Sequence, residues 1–442
     1  MLEPLRNRTY RRLFAAQVIA LIGTGLLTVA LGLLAYKLAG GAAGAVLGTA
    51  LAIKMIAYVG VSPIAGAVAG ILPRRAMLVA LDVVRAAIAL CLPFADQVWQ
   101  IYVLIFLLQS SSAAFTPTFH ATIPDILPEE RDYTKALSLS RLAYDLETLL
   151  SPAVAAAGLL GLMSFHNLFV GTALGFLLSA ALVLSVVLPQ PASTQAMSFA
   201  RRLTQGARIY LATPRLRGLL ALNMAAAAGV ASVFVNTVVI VRDRLELGDS
   251  EVAVTLAAFG FGSMTAALAL PRILEKLSDR SVMVSGGALL IPPLLGAALA
   301  LWAVPGPAAW AAILITWTFL GAAYAMLITP SGRLLRRSAR DTDRPALFAA
   351  QFALSHACWL VTYPMAGWIG AFVGLPQALI VHAIVALLAT TLAVRLWPAA
   401  DPDVIEHVHA DLPTGHPHLR EQNGPRHAHI LVIDELHRRW PA

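Results

Sequence analysis

Runs of about 20 apolar residues, separated by short polar stretches, recur along nearly the whole chain. A run of that length spans ~30 Å of hydrocarbon as a helix. Twelve spans are predicted, at 13–36, 44–71, 76–94, 98–116, 137–162, 166–188, 217–241, 251–271, 282–302, 308–330, 346–370 and 375–397. The first follows Arg11-Arg12 but is too long for a signal-peptide core, and no small-residue cleavage site precedes the return of charge. The longest connection, 189–216, contains Pro189, Pro191, Arg201, Arg202 and Arg208. It reads as a linker with a short amphipathic surface helix, between a bundle of six helices at 1–188 and another at 217–397. Beyond it, 398–442 carries Pro398, Pro402, Pro413, Pro417, Pro425 and Pro441, with little apolar content except Ile430 to Ile433. This tail is expected to be mostly irregular, against or below the cytoplasmic face.

The two sets of spans look duplicated. Arg12 to Arg75 and Arg217 to Arg280 are both 63 positions apart. Thr116-Pro117-Thr118 ends span four and Thr329-Pro330-Ser331 ends span ten. From Pro117 to Pro152 is 35 positions, and from Pro330 to Pro364 is 34. Gly158 follows Pro152 by six, as Gly370 follows Pro364. A parallel six-plus-six repeat is expected to place a substrate site at its interface, near the bilayer midplane. Gly40, Gly44 and Gly48, spaced by four, mark a face on which backbones approach closely. Pro63, Pro152 and Pro364 remove backbone donors inside spans.

Composition narrows the class. At 58% hydrophobic, 13% charged and a mean hydropathy of +0.74, the 442-residue chain is an all-α membrane protein rather than a soluble domain. The net charge of +8 does not call for nucleic acid, because the positive charges lie on one side. Of 32 Lys and Arg, only Lys37, Arg242 and Arg244 fall on the opposite side, while Lys54, Arg85 and Arg141 lie within spans. The positive-inside rule then puts both termini in the cytoplasm and the chain in a bacterial-type cytoplasmic (inner) membrane. Cys91 and Cys358 both sit in apolar runs, which disfavours disulfides or thiolate metal sites.

Polar residues inside spans are costly, and therefore candidates for function. Span five carries Arg141, Asp145 and Glu147. Arg141 and Asp145 lie ~40° apart on a helix and are able to pair, while Glu147 is ~200° from Asp145. Counting back from Pro364, the matching positions in the second half are Ala353, Ala357 and Trp359. A transport role for one acid competes with a structural pair near the cytoplasmic end. A partly desolvated carboxylate there loads and releases a proton near neutral pH. Asp82 and Arg85, three apart on span three, are also able to pair. Lys54 is either a counter-ion to a carboxylate on another helix or part of a cavity wall. Gln17, Gln109, Asn223, Asn236, Gln351 and His356 complete the polar candidates for the proton and substrate path, each also read as an interhelical hydrogen bond. His120 and His166 lie near membrane ends.

Several motifs resemble the major facilitator superfamily over about residues 5 to 397, and within it the drug and siderophore exporter branch. The connection after span four, Pro117 followed by Ile123-Pro124-Asp125-Ile126-Leu127-Pro128-Glu129-Glu130-Arg131, is similar to that branch's P…IPDLVPEE stretch. The loop after span two, Gly66-Ala67-Val68-Ala69-Gly70-Ile71-Leu72-Pro73-Arg74-Arg75, keeps Gly66, Arg74 and Arg75 of the G-x-x-x-D-R-x-G-R-R pattern. Gly70 stands at its acidic position and Pro73 at its second glycine. Ser151-Pro152-Ala153-Val154-Ala155-Ala156 is similar to the antiporter GPxxGG signature, with small residues replacing glycines. The resemblance implies twelve helices in two bundles and a secondary transporter exporting a small organic molecule such as a drug, macrolide or siderophore.

No phosphate-cradling glycine loop, His-Glu-x-x-His run or nucleophile elbow occurs, so neither a nucleotide nor an enzymatic reaction is expected. No cofactor is expected, and the energy source is read as a proton gradient. The partners are a small-molecule substrate and the lipid bilayer. The tail holds seven of the eleven histidines: His407, His409, His416, His418, His427, His429 and His437. Imidazoles suit nickel, cobalt, zinc and copper, which opens a second reading as a divalent-metal exporter with a metal-binding tail. Histidines two apart share one side of an extended chain, so two His-x-His pairs could complete a four-coordinate site. A solvated, histidine-enriched linker competes with that reading. A receptor or scaffold that transports nothing is the reading from another class.

Overall fold

The structure is a computed structural model that describes residues 3–68, 73–129, 132–133, 135–136, 139–140, 143, 164–188, 199–340, 343–402, 404–408, 419, 426–434, 436–437 and 440. Its helices are α1 (Arg8–Ala39), α2 (Ala43–Val68), α3 (Arg74–Cys91), α4 (Val98–Ile126) and α5 (Phe165–Leu184). There follow α6 (Phe199–Ala212), α7 (Pro214–Val239), α8 (Asp249–Leu274), α9 (Asp279–Leu289), α10 (Ile291–Ala303) and α11 (Pro307–Ile328). The chain continues with α12 (Ser331–Arg337), α13 (Arg344–Phe372) and α14 (Leu375–Leu396), then strands β1 (Val404–Val408) and β2 (Arg426–Ile430). Every predicted span has a helix at its place except the fifth, which falls largely outside the described residues. Span nine is made by α9 and α10 in succession.

Local chemistry sets the helix starts. Asn7 caps α1, its Oδ1 accepting from the amides of Thr9 and Tyr10 at 3.0 and 3.1 Å. Gln100 Oε1 reaches back to the amide of Gln97 at 3.0 Å to open α4. Pro214 and Pro307 occupy first turns, where a missing N–H costs nothing. Burial divides the helices into inner and outer ones. On α5, Leu168, Phe169, Thr172, Phe176, Ser179 and Val183 are buried, while Val170, Leu174, Leu177 and Leu178 point outward. An outward face this apolar fits hydrocarbon rather than water. In contrast α7 is buried almost all round.

The packing repeats between halves. In the first, α1 lies on α5, α2 on α4, and α3 on both α4 and α5. In the second, α7 lies on α14, α8 on α11, and α9 and α10 on both α11 and α14. The helix starts are clamped alike: Arg75 donates to the Leu184 carbonyl at the end of α5, and Arg280 to the Trp397 carbonyl at 2.7 Å, just past α14. One position earlier, Arg74 pairs with Asp125 at the end of α4. Its counterpart Asp279 meets Arg333 of α12 at 3.6 Å, so the charges are reversed.

Across the halves, α2 packs on α13. A Cβ on Gly48 would lie 2.5 Å from the Tyr363 carbonyl oxygen, and one on Gly367 would overlap the Gly44 carbonyl. Gly40 plays a different part from Gly44 and Gly48: its φ of +52° turns the chain between α1 and α2. Gly367→Val is expected to wedge α2 from α13 at this end, away from the termini. Spin labels at Gly41→Cys and Phe372→Cys would then report a longer distance, and an unchanged distribution would show that the glycine contact does not hold the halves together.

The tail differs from the irregular segment expected. Strands β1 and β2 pair antiparallel, with His407 opposite His427. Leu431 and Ile433 are fully buried, and Asp401 accepts from Trp397 Nε1 at 3.1 Å and from Arg337 at 2.9 Å. Arg215 of α7 sits 5.2 Å from the Trp440 ring centroid. A few apolar anchors and buried ion pairs dock what composition alone reads as a solvated linker.

Candidate functional site

The contact between α2 and α13 opens onto an aromatic face built mainly by the second half. Phe352, His356, Trp359 and Tyr363 follow one another along one side of α13. Trp359 lies 6.4 Å from Phe234 of α7, 6.4 Å from Tyr324 of α11 and 4.9 Å from Tyr363. Phe259 of α8 bridges Phe234 and Tyr324 at 5.6 and 5.9 Å. From the first half, Tyr58 of α2 stacks on His356 at 5.5 Å and on Phe352 at 5.8 Å. Lys54, one turn earlier, places Nζ 5.8 Å from the Tyr58 ring centroid. Most of these side chains are half-buried although they sit on central helices. Such a face offers flat apolar contact together with a cation.

Two of the sequence candidates, Lys54 and His356, join this face. Asn223 and Gln351 come together below it, where Gln351 Oε1 accepts from Asn223 Nδ2 at 3.4 Å and from the Tyr210 hydroxyl at 2.5 Å. Tyr210 belongs to α6, so the linker helix is seated in the body rather than lying on its surface. Ile209 and Tyr210 are fully buried, and Gln205 Nε2 donates to Asp343 at 2.5 Å. Burial first, then the Cys358 thiol, pushes the Tyr210 phenol above its ordinary range, so it remains a donor. Asn236 sits where three helices meet: its Nδ2 donates to the Ala366 carbonyl at 3.0 Å, and a Cβ on Gly44 would lie 2.7 Å from its Oδ1. Gln17 accepts from the Ser140 hydroxyl at 3.0 Å, and Gln109 is buried on α4.

Asp82 and Arg85 form a salt bridge with side chains 0% and 5% exposed. The guanidinium is held between the Phe115 and Phe176 rings, 4.3 and 4.4 Å from their centroids. This cation–π sandwich lies in the packing of α3, α4 and α5, not on the face between halves. Arg141, Asp145, Glu147, Ser151 and Pro152 lie outside the described residues, as do His409, His416 and His418; Gly66 lies within α2 near its end.

Sequence reading passed over Tyr58, Phe234, Phe259, Tyr324, Trp359 and Tyr363. A signal was present on α13, where Phe352, His356, Trp359 and Tyr363 recur every three or four residues. Against a uniformly apolar background, aromatic periodicity stands out less than an isolated charge.

On the tail, His407, His427 and His429 share the inner face of the hairpin and His437 follows it. Burial lowers the His407 pKa, the Ile405 carbonyl opposes this, and the imidazoles of His429, His437 and His427 lower it further. Burial raises the Asp434 pKa, but hydrogen bonds and charge from His437, then Arg340, outweigh it and hold the carboxyl at about 2.

A family model described as Major Facilitator Superfamily matches residues 13–315 and 220–423. No curated protein sequence matches. Solved structures of similar fold include a POT family transporter in complex with 5-aminolevulinic acid, at 14% identity and TM-score 0.68, covering 88% of this chain and 96% of that one. A D-xylose-proton symporter aligns at 16% identity and TM-score 0.66, covering 89% and 98%. A bacterial homolog of the human lysosomal transporter Spinster, inward-facing and unoccupied, aligns at 13% identity and TM-score 0.66, covering 90% and 100%.

Proposed function

The chain belongs to the major facilitator superfamily, and on that premise we propose that it exports a small organic molecule by exchange for protons. The observation carrying the reading is that α13 joins two groups: its Trp359 and Tyr363 cluster with Phe234 and Tyr324, and its Phe352 and His356, earlier on the same side, stack on Tyr58 beside Lys54 of the other half. The substrate class is a molecule with a flat apolar body and an anionic or hydrogen-bond-accepting group. Stacking on the second half holds the body, and the Lys54 ammonium attracts the polar group. Alternating access arises as the two bundles rock about this contact. The direction, outward from a cytoplasmic side that holds both termini, rests on the resemblance around Pro117–Arg131 and Ser151–Ala156 and on the distribution of basic residues.

The repeat supports a choice between the two acids of span five. The offset that aligns Arg12 with Arg217 and Arg75 with Arg280 aligns Lys54 with Phe259, a member of the aromatic face. The proline-anchored register aligns Glu147 with Trp359, at the centre of that face, and Asp145 with Ala357. We assign proton exchange to Glu147, with Asp145 and Arg141 as a supporting pair.

The test is flux in vesicles reconstituted with purified protein, using an imposed pH gradient and a panel of flat aromatic drugs, dyes and siderophores. Accumulation that collapses with a protonophore is expected. Transport that follows an imposed sodium gradient and ignores pH would remove proton coupling. Trp359→Ala is expected to raise KM roughly tenfold, ~1.4 kcal/mol of lost contact, with a smaller change in maximal rate.

A further inference from the structure

We propose that the docked tail carries a three-histidine site for a divalent transition ion of the zinc class, ligated by Nε2 of His407, His429 and His437. Potential ligand atoms of these three residues all lie within 4.8 Å of one another. The hairpin register and the turn after β2 gather them from positions far apart in the chain. His407 Nε2 and His437 Nε2 are 3.1 Å apart.

The other ring nitrogens set the tautomers. His407 Nδ1 meets the Ile405 carbonyl at 3.0 Å, His429 Nδ1 the Ile430 carbonyl at 2.8 Å, and His437 Nδ1 an Asp434 carboxylate oxygen at 3.0 Å. None of these oxygens donates a hydrogen bond, so each Nδ1 carries the proton. In the neutral ring Nε2 then holds a lone pair. Two lone pairs at 3.1 Å repel unless a cation or a proton lies between them. A proton links only two nitrogens, whereas a metal accounts for the convergence of the third ring. Nε2 atoms around a tetrahedral zinc, at Zn–N of ~2.0–2.1 Å, stand ~3.4 Å apart, so the His407–His437 pair at 3.1 Å is already near the required spacing and the third ring closes in from within 4.8 Å.

The surrounding groups match what metal-bound imidazoles require. Carboxylate or carbonyl acceptors on the distal nitrogen fix the tautomer and raise ligand basicity. Asp434 is itself fixed, accepting from the amides of Leu436 at 2.8 Å and His437 at 2.6 Å and pairing with Arg340. Arg208 of α6 donates to the Asp434 carbonyl at 3.5 Å. Metal held by His437 would thus tie the hairpin to α6 and to the segment between α12 and α13.

The experiment uses full-length protein purified without a polyhistidine tag, titrated with Zn²⁺ or Co²⁺ alone. One ion per chain is expected, with the intense visible absorption of low-coordinate Co²⁺ and a rise in melting temperature with added Zn²⁺. His407→Ala and His437→Ala should each abolish the absorption, and Asp434→Asn should weaken binding 10–100-fold. Replacing His409, His416 and His418 together should leave the absorption in place. No stoichiometric binding by the wild type overturns the proposal without reliance on any variant. So does binding that survives His407→Ala with His437→Ala, or that vanishes when His409, His416 and His418 are replaced together.

Discussion

Glu147→Gln is expected to abolish transport driven by a pH gradient while leaving substrate exchange at equal pH intact. The residue lies outside the described part of the chain, and its assignment follows from register. Trp359, its counterpart in the proline-anchored register, lies 6.4 Å from Phe234, 6.4 Å from Tyr324 and 4.9 Å from Tyr363, centroid to centroid. A carboxylate at the equivalent place would meet both substrate and protons, and binding one could expel the other. Gln keeps the volume and hydrogen bonding but has no proton to exchange, so coupling fails while the substrate still binds. Asp145→Asn, at the position matching the exposed Ala357, is expected to lower the rate without removing its pH dependence. The reverse outcome, with Asp145→Asn uncoupled and Glu147→Gln normal, would show that the register is wrong. Equilibrium exchange by the Gln variant separates lost coupling from lost folding.

Breaking the Asp82–Arg85 pair is expected to have the largest effect on stability. Arg85→Met leaves the Asp82 carboxylate in a sealed apolar site, and Asp82→Leu leaves the guanidinium between Phe115 and Phe176. Each single variant should lose about 3–5 kcal/mol, because an unpaired buried charge remains. The double variant should recover most of that loss, since apolar residues of similar size fill the space without a charge to desolvate. Thermal unfolding in detergent measures this. Folded protein of the double variant should transport with unchanged KM, because the pair lies away from the face between the halves. A double variant that folds well but no longer transports would place Asp82 and Arg85 in the transport path.

The described spans and the repeat were legible in the sequence, because each is written in one dimension. A bilayer demands ~20 apolar residues per helix, and that demand is met locally whatever the neighbours are. The identical 63-position separations of Arg12–Arg75 and Arg217–Arg280 likewise need no contacts to be seen, and Arg75 and Arg280 make corresponding clamps in the two halves. The polar positions within spans were legible for the same reason: Lys54, His356, Asn223 and Gln351 stand out against hydrocarbon residues. Their partners did not. Lipid tails are as apolar as leucine, so a span has no strong amphipathic pattern to say which side faces protein. Only packing decided that Asp82 and Arg85 are enclosed by Phe115 and Phe176, that Trp359 faces the junction, and that Gly44 and Gly48 meet Gly367 and Tyr363. The tail shows the same division. Its histidines were plain in the sequence, but hairpin register and docking through Asp434 selected His407, His429 and His437, because convergence of three rings depends on distances through space that sequence spacing does not fix.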